Sequence, residues 1–134
     1  MAIDVVYNGG KQQFSLQKTK GREKMPVVIK RKNQFLYAFL KGEIDHHTAP
    51  DIREAIDDAL SSSESCETLV LDFNDVSFMD SSGVGLVMGR YRYATTLNKK
   101  VRVDNLDDRN YKIMQMSGIE KIAEISKKEN GEQK

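Results

Sequence analysis

A chain of 134 residues, 39% apolar and 31% charged, is the size of one domain with a single core. No apolar run reaches the roughly 18 residues of a membrane span, and no apolar stretch follows the first charges as a secretion signal requires, so a cytoplasmic protein is expected. The net charge of +1 hides an asymmetry: residues 1–32 carry eight Lys/Arg against two Asp/Glu, and residues 33–134 carry thirteen against eighteen.

The basic start does not interleave its cations with a series of aromatic residues as a single-strand binder needs, having only Tyr7 and Phe14, so no direct nucleic-acid partner is expected. Cys66 stands alone, which excludes an internal disulfide and a cysteine-based zinc cluster. His46 and His47 are adjacent rather than three or four apart, which argues against a shared metal. No cofactor is indicated.

Residues 1–25 are polar and broken by Gly9, Gly10 and Gly21, and read as a basic extension, partly disordered or forming an added hairpin. Val27-Val28-Ile29 starts a short strand, with its turn over 30–34. In "FLYAFLKGEID" Phe35, Tyr37 and Phe39 share one face and Leu36, Ala38 and Leu40 the other; both faces are apolar, so the strand belongs in the middle of a sheet. Thr48 suits an N-cap and Pro50 a first turn, and Ile52, Ala55, Ile56, Ala59 and Leu60 recur at helical spacing. "TLVLDF", 68–73, is a strand and "NDVSFMD" its exit. A second helix starts at Ser82, with Val84, Val87, Met88 and Tyr91 on its apolar face and Arg90 and Arg92 on a solvated one. "KVRVDNL" alternates as a strand. Asp107 caps a third helix that Gly118 stops, "KIAEI", 121–125, is the last strand, and residues 127–134 form a disordered tail. Strands alternating with helices predict an α/β domain over 26–126: a mixed, mostly parallel sheet of four to five strands. Function in such sheets gathers at the carboxyl ends of strands, here Glu43-Ile44-Asp45 and Met79-Asp80-Ser81.

The stretch "FMDSSGVG" admits four chemistries. A hydrolytic nucleophile needs a G-x-S-x-G elbow, and no glycine precedes these serines. A phosphate cradle needs the P-loop pattern and its lysine, which are missing. Helix capping by Asp80 or Ser82, with small residues for close approach, explains Asp80 and Gly83 without any function. A phosphorylated serine at a strand–helix junction is exposed and close to a helix N-terminus that tolerates its charge. The residues by themselves do not choose between the last two.

"GEIDHHTA" (42–49), "VSFMDSSGVGLVMGRYR" (76–92) and "MSGIEKI" (116–122), in this order, resemble the bacterial anti-sigma factor antagonists of the STAS domain family, nearest to its sporulation members. The resemblance implies the STAS fold, with helices packed mainly on one side of the sheet, and a binding protein rather than an enzyme. It implies that the unphosphorylated form binds an anti-sigma factor and so releases a sigma factor. That anti-sigma factor doubles as an ATP-using serine kinase that phosphorylates the antagonist and ends the association, and a serine phosphatase restores it. The serine directly after the motif aspartate, here Ser81, is the implied acceptor. Asp45 and Asp80 match acids lining the family's site, with Ser82, Gly83, His46 and His47 as further lining or partner contacts. The alternative left open is a STAS module of another stress or signalling complex, or one that binds a nucleotide.

Overall fold

The computed structural model describes residues 26–129 and the backbone of 5–8 and 11–14. In chain order it contains β1 (Val5–Asn8), β2 (Lys11–Phe14), β3 (Val27–Lys32), β4 (Phe35–Ile44), α1 (Ala49–Ser61), β5 (Thr68–Met79), α2 (Ser81–Thr96), β6 (Lys100–Leu106), α3 (Asp108–Met116), one 3-10 turn (Ile119–Lys121) and β7 (Glu124–Lys127). The strands form one sheet in the order β2-β1-β3-β4-β5-β6-β7. Strands β1 to β4 are joined antiparallel, and β4 to β7 run parallel. The five strands β3 to β7 make the expected mixed sheet, and β1–β2 adds a hairpin that pairs Val5 with Ile29 and Val6 with Val28.

The core lies between one face of the sheet and the helices. Leu36, Ala38 and Leu40 of β4, Leu69, Leu71 and Phe73 of β5, and Val101 and Val103 of β6 are buried with Ile52, Ala55, Ile56, Ala59 and Leu60 of α1. Each fully buried large side chain contributes about 1.5–3 kcal/mol of transfer free energy. The other face of β4 carries a half-buried aromatic row, with Phe35 and Tyr37 centroids 5.9 Å apart and Tyr37 and Phe39 stacked at 5.7 Å. Arg102 covers Phe35 and Lys30 covers Phe39. Cations over aromatic faces let apolar rings stand at a solvated surface.

Several expectations shift. The β3–β4 turn is shorter than 30–34: the strand runs through Lys32, and Asn33 takes the left-handed backbone, φ 57°, that asparagine tolerates. Strand β5 continues to Met79 instead of ending at Phe73, because β4 follows it with two register shifts, one beside Gly42 at φ 77°. A bulge leaves exposed polar residues, here Asn74 and Asp75, inside a strand where they read as a loop. The buried face of α2 is Gly83, Leu86, Val87, Arg90 and Ala94, with Val84, Met88 and Tyr91 at its margin. Arg90 is therefore not solvated; it is 6% exposed, and Nε and Nη2 donate to the two carboxylate oxygens of Asp57 at 2.8 and 3.3 Å. The last strand starts at Glu124, after Ile119 and Ala123 have been buried. It reaches Lys127, whose partner in β6 is Leu106, so the stretch expected to be a tail from 127 begins within the sheet. Residues 130–134 lie outside the described residues.

Candidate functional site

Ile44 and Met79 are register partners at the carboxyl ends of β4 and β5, and the Asp80 N–H donates to the Ile44 carbonyl at 3.2 Å. The ladder thus runs one residue past β5 and sets Asp45 and Asp80 on neighbouring strand ends. Each aspartate then organises its own turn. Asp45 Oδ1 accepts from the backbone N–H of His47 at 2.9 Å and of Thr48 at 3.0 Å. Those bonds, the Thr48 one first, hold the Asp45 carboxyl below the usual carboxylate range, and the nearby His47 and His46 add a smaller electrostatic pull. Thr48 stands at the N-cap of α1, yet its hydroxyl does not cap the helix: it accepts from the Asp45 N–H at 3.0 Å and donates to the Glu43 carbonyl at 2.9 Å. His46 and His47 are exposed, their rings 4.1 Å apart.

Asp80 is the N-cap of α2. Its backbone is extended, φ −105° and ψ −164°, and Oδ1 accepts the Ser82 N–H at 2.8 Å. Ser82 lies inside the first turn as the residue being capped, so of the two expected candidates Asp80 is the cap; either residue type caps well, and backbone geometry decides which one does. Gly83 is buried, and a Cβ placed on it would lie 2.3 Å from both Cγ and Sδ of Met79. It is a packing residue that lets α2 start directly over the end of β5, and its burial leaves little of it for a partner.

Ser81 remains. It is exposed at the first position of α2, and its hydroxyl makes no hydrogen bond among the described residues. In particular no histidine or carboxylate activates it, as a nucleophile requires. An open cleft of about 710 Å³ lies at the opposite, amino-terminal ends of β5 and β6, lined by Phe35, Thr68, Tyr91, Lys100, Arg102 and Glu124 among others, and includes none of the residues expected to form the site. The structure thus brings Asp45, His46, His47, Asp80, Ser81 and Ser82 to one end of the sheet.

Two residues there carry no sequence signal. Phe78 is 44% exposed beside the site. Arg109, from the first turn of α3, stands with its guanidinium carbon 5.6 Å from the Phe78 ring centre and donates from Nη1 to the Met79 carbonyl at 3.3 Å. Phe78 sits inside the strand exit of the motif, and only the continuation of β5 turns it outward. Arg109 arrives from another element, and no local pattern announces it. Lys99, elsewhere in the fold, is likewise not marked by its sequence neighbours: it is buried and donates to the carbonyls of Ser63 and Cys66.

Comparison with known proteins puts this geometry in context. Residues 26–131 match the model of the STAS domain. The chain is 36% identical over 101 residues to an anti-sigma F factor antagonist of Paenibacillus polymyxa, covering 75% of this chain and 86% of that one. It is 29% identical over 105 residues to an anti-sigma-B factor antagonist of Bacillus subtilis, covering 78% and 94%. Among solved structures it is similar to the anti-sigma factor antagonist SpoIIAA in its unphosphorylated form, with TM-score 0.64, 31% identity and coverage of 75% of this chain and 87% of the other. The phosphorylated form of the Bacillus cell fate determinant SpoIIAA matches with TM-score 0.59 at the same identity, covering 75% and 90%.

Proposed function

The chain belongs to the STAS domain family, and from that premise we propose that it is an anti-sigma factor antagonist whose binding is switched off by phosphorylation of Ser81. The reading rests on one observation above the others: Ser81 is an exposed serine with an unengaged hydroxyl, held by the Asp80 cap at the junction of β5 and α2. It is supported by relatives named as antagonists and by a relative solved in unphosphorylated and phosphorylated forms. The unmodified protein binds its anti-sigma factor, and that association frees the sigma factor.

The anti-sigma factor is also the kinase in this account. It transfers the γ-phosphoryl group of ATP to Ser81: the Oγ–P bond forms, the bond from the γ-phosphorus to the bridging oxygen breaks, ADP leaves, and the hydroxyl proton passes to a base of the kinase. A serine phosphatase reverses the modification by hydrolysis, releasing inorganic phosphate. The phosphate brings about −1.5 to −2 charges to a strand end that already carries Asp45 and Asp80. The folded state accepts it, because Ser81 is exposed and the first turn of a helix favours negative charge. A partner docked on this end meets new bulk and like charge, so association changes with little refolding. The chain acts by binding, not by catalysis. His46, His47 and the first turn of α2 are the proposed contacts around the acceptor.

The test is incubation with the cognate kinase and ATP, followed by mapping of the modified peptide by mass spectrometry. A single phosphate on Ser81 is expected. Phosphate on Ser82, or on the serines of 61–65, refutes the assignment.

A further inference from the structure

Arg109 is oddly engaged for a full positive charge. Its described contacts are the Met79 carbonyl, the Asn110 side-chain oxygen, both from Nη1 at 3.3 Å, and the Phe78 ring. The position is well anchored: Asn110 is 3% exposed, and its N–H is bound by the Asp107 cap at 2.7 Å. Among the described residues no carboxylate lies within ion-pair distance of the Arg109 guanidinium, and its Nε and Nη2 groups have no protein acceptor. A guanidinium offers five N–H groups in a planar fork suited to a phosphate. Met79, whose carbonyl it holds, is two residues before Ser81, so the two Cα atoms are within about 8 Å at 3.8 Å per residue. The guanidinium at the Met79 carbonyl thus lies close to the segment that carries Ser81, and rotation of the long arginine side chain is the only movement that pairing with a phosphate there requires.

We propose that Arg109 is the counter-ion of phosphorylated Ser81: when the phosphate is added, the guanidinium leaves the Met79 carbonyl and the Phe78 ring and pairs with the phosphate oxygens. The inference rests on Ser81 as the acceptor and gives the switch a second arm. The modification then does more than add negative charge. It draws the guanidinium off the Phe78 ring, so a partner that recognises the stacked Arg109–Phe78 pair no longer finds it. Charge-assisted bidentate pairing is the strongest polar contact available to an exposed phosphate.

The experiment installs phosphoserine at position 81 during synthesis of the full chain, so that it needs no kinase and its outcome is separate from the mapping above. The second phosphate pKa is read by phosphorus NMR. The titratable and charged groups at this end of the sheet are Asp45 at the end of β4, His46 and His47 after it, Asp80 at the end of β5, and Asp107, Asp108 with its partner Lys127, and Arg109 around the start of α3; all but Arg109 stay constant across the variants. Arg109→Gln is expected to raise that pKa by about 1 unit, the low end of the effect of a nearby opposite charge, and Arg109→Lys to recover more than half of the difference. A Gln variant that titrates like the wild type overturns the proposal, as does a Lys variant shifted as far as Gln. Should Arg109→Gln lose its native spectrum, the Arg109 Nε–H resonance of the phosphorylated wild type decides. A downfield shift as the phosphate ionises supports the pair, and no shift overturns it.

Discussion

Replacing Gly83 by alanine tests whether packing, rather than partner contact, keeps that glycine beside the acceptor serine. The new Cβ would stand 2.3 Å from Cγ and Sδ of Met79, more than 1 Å inside ordinary van der Waals contact. Met79 has no exposed surface and is part of the core cluster, so it cannot swing into solvent. Overpacking of this kind costs about 1–3 kcal/mol. Exchanging glycine for alanine inside a helix returns about 1 kcal/mol of propensity, leaving Gly83→Ala between neutral and about 2 kcal/mol destabilised. Gly85 is the internal control: it lies in the same helix, and nothing approaches its Cβ within 4 Å. Gly85→Ala therefore gains the propensity without the clash. The difference between the two variants isolates the overpacking, about 1–3 kcal/mol, and urea unfolding with unchanged m-values measures it. Equal midpoints for the two variants refute the packing account of Gly83.

Asp80→Ala removes the acceptor of the Ser82 N–H and should cost about 1 kcal/mol in thermal unfolding, whereas Ser82→Ala should be near neutral, because the cap is the aspartate. Arg90→Ala should cost about 2 kcal/mol, less than the 3–5 of a fully buried pair because Asp57 keeps 31% side-chain exposure, and denaturant midpoints check it. The Asp45 carboxyl, observed by carbon NMR, should titrate below the ordinary value of 3.8 because its folded form is held ionised by two backbone N–H groups. A depressed folded pKa gives stability that is present above the unfolded value and is lost as pH falls through the folded one. Asp45→Asn should therefore flatten the pH dependence of stability below about pH 4 and leave it unchanged at neutral pH.

What the chain discloses by itself is local. The buried face of α1, the alternation of β4, the Asp107 cap and the stop at Gly118, which has φ 83°, are all set by residues within a turn or two of one another, and the sequence carries them directly. That Asp45, Asp80 and Ser81 lie near one another was legible for the same reason: they follow strand ends, and parallel strands bring such ends together. The reach of β5 depends on bulges in its neighbour β4. Arg90 is buried because a carboxylate on a different helix faces it. Arg109 meets Phe78 only because the start of α3, which follows β6, brings its side chain to the end of the neighbouring strand β5. Each of these is a pairing between distant residues, and periodicity along one element does not encode it. The assignment of the cap to Asp80 instead of Ser82 turns on one residue's ψ angle, which two adjacent capping residue types leave open.

The central claim is that the state of Ser81 sets the affinity for the anti-sigma factor. Titration calorimetry of that factor against the unmodified chain and against the chain carrying phosphoserine at position 81 tests it most directly. The account predicts tight binding of the unmodified chain and a loss of at least about tenfold on phosphorylation, 1.4 kcal/mol or more, with native circular dichroism in both. Equal affinity of the two forms, each folded, contradicts it.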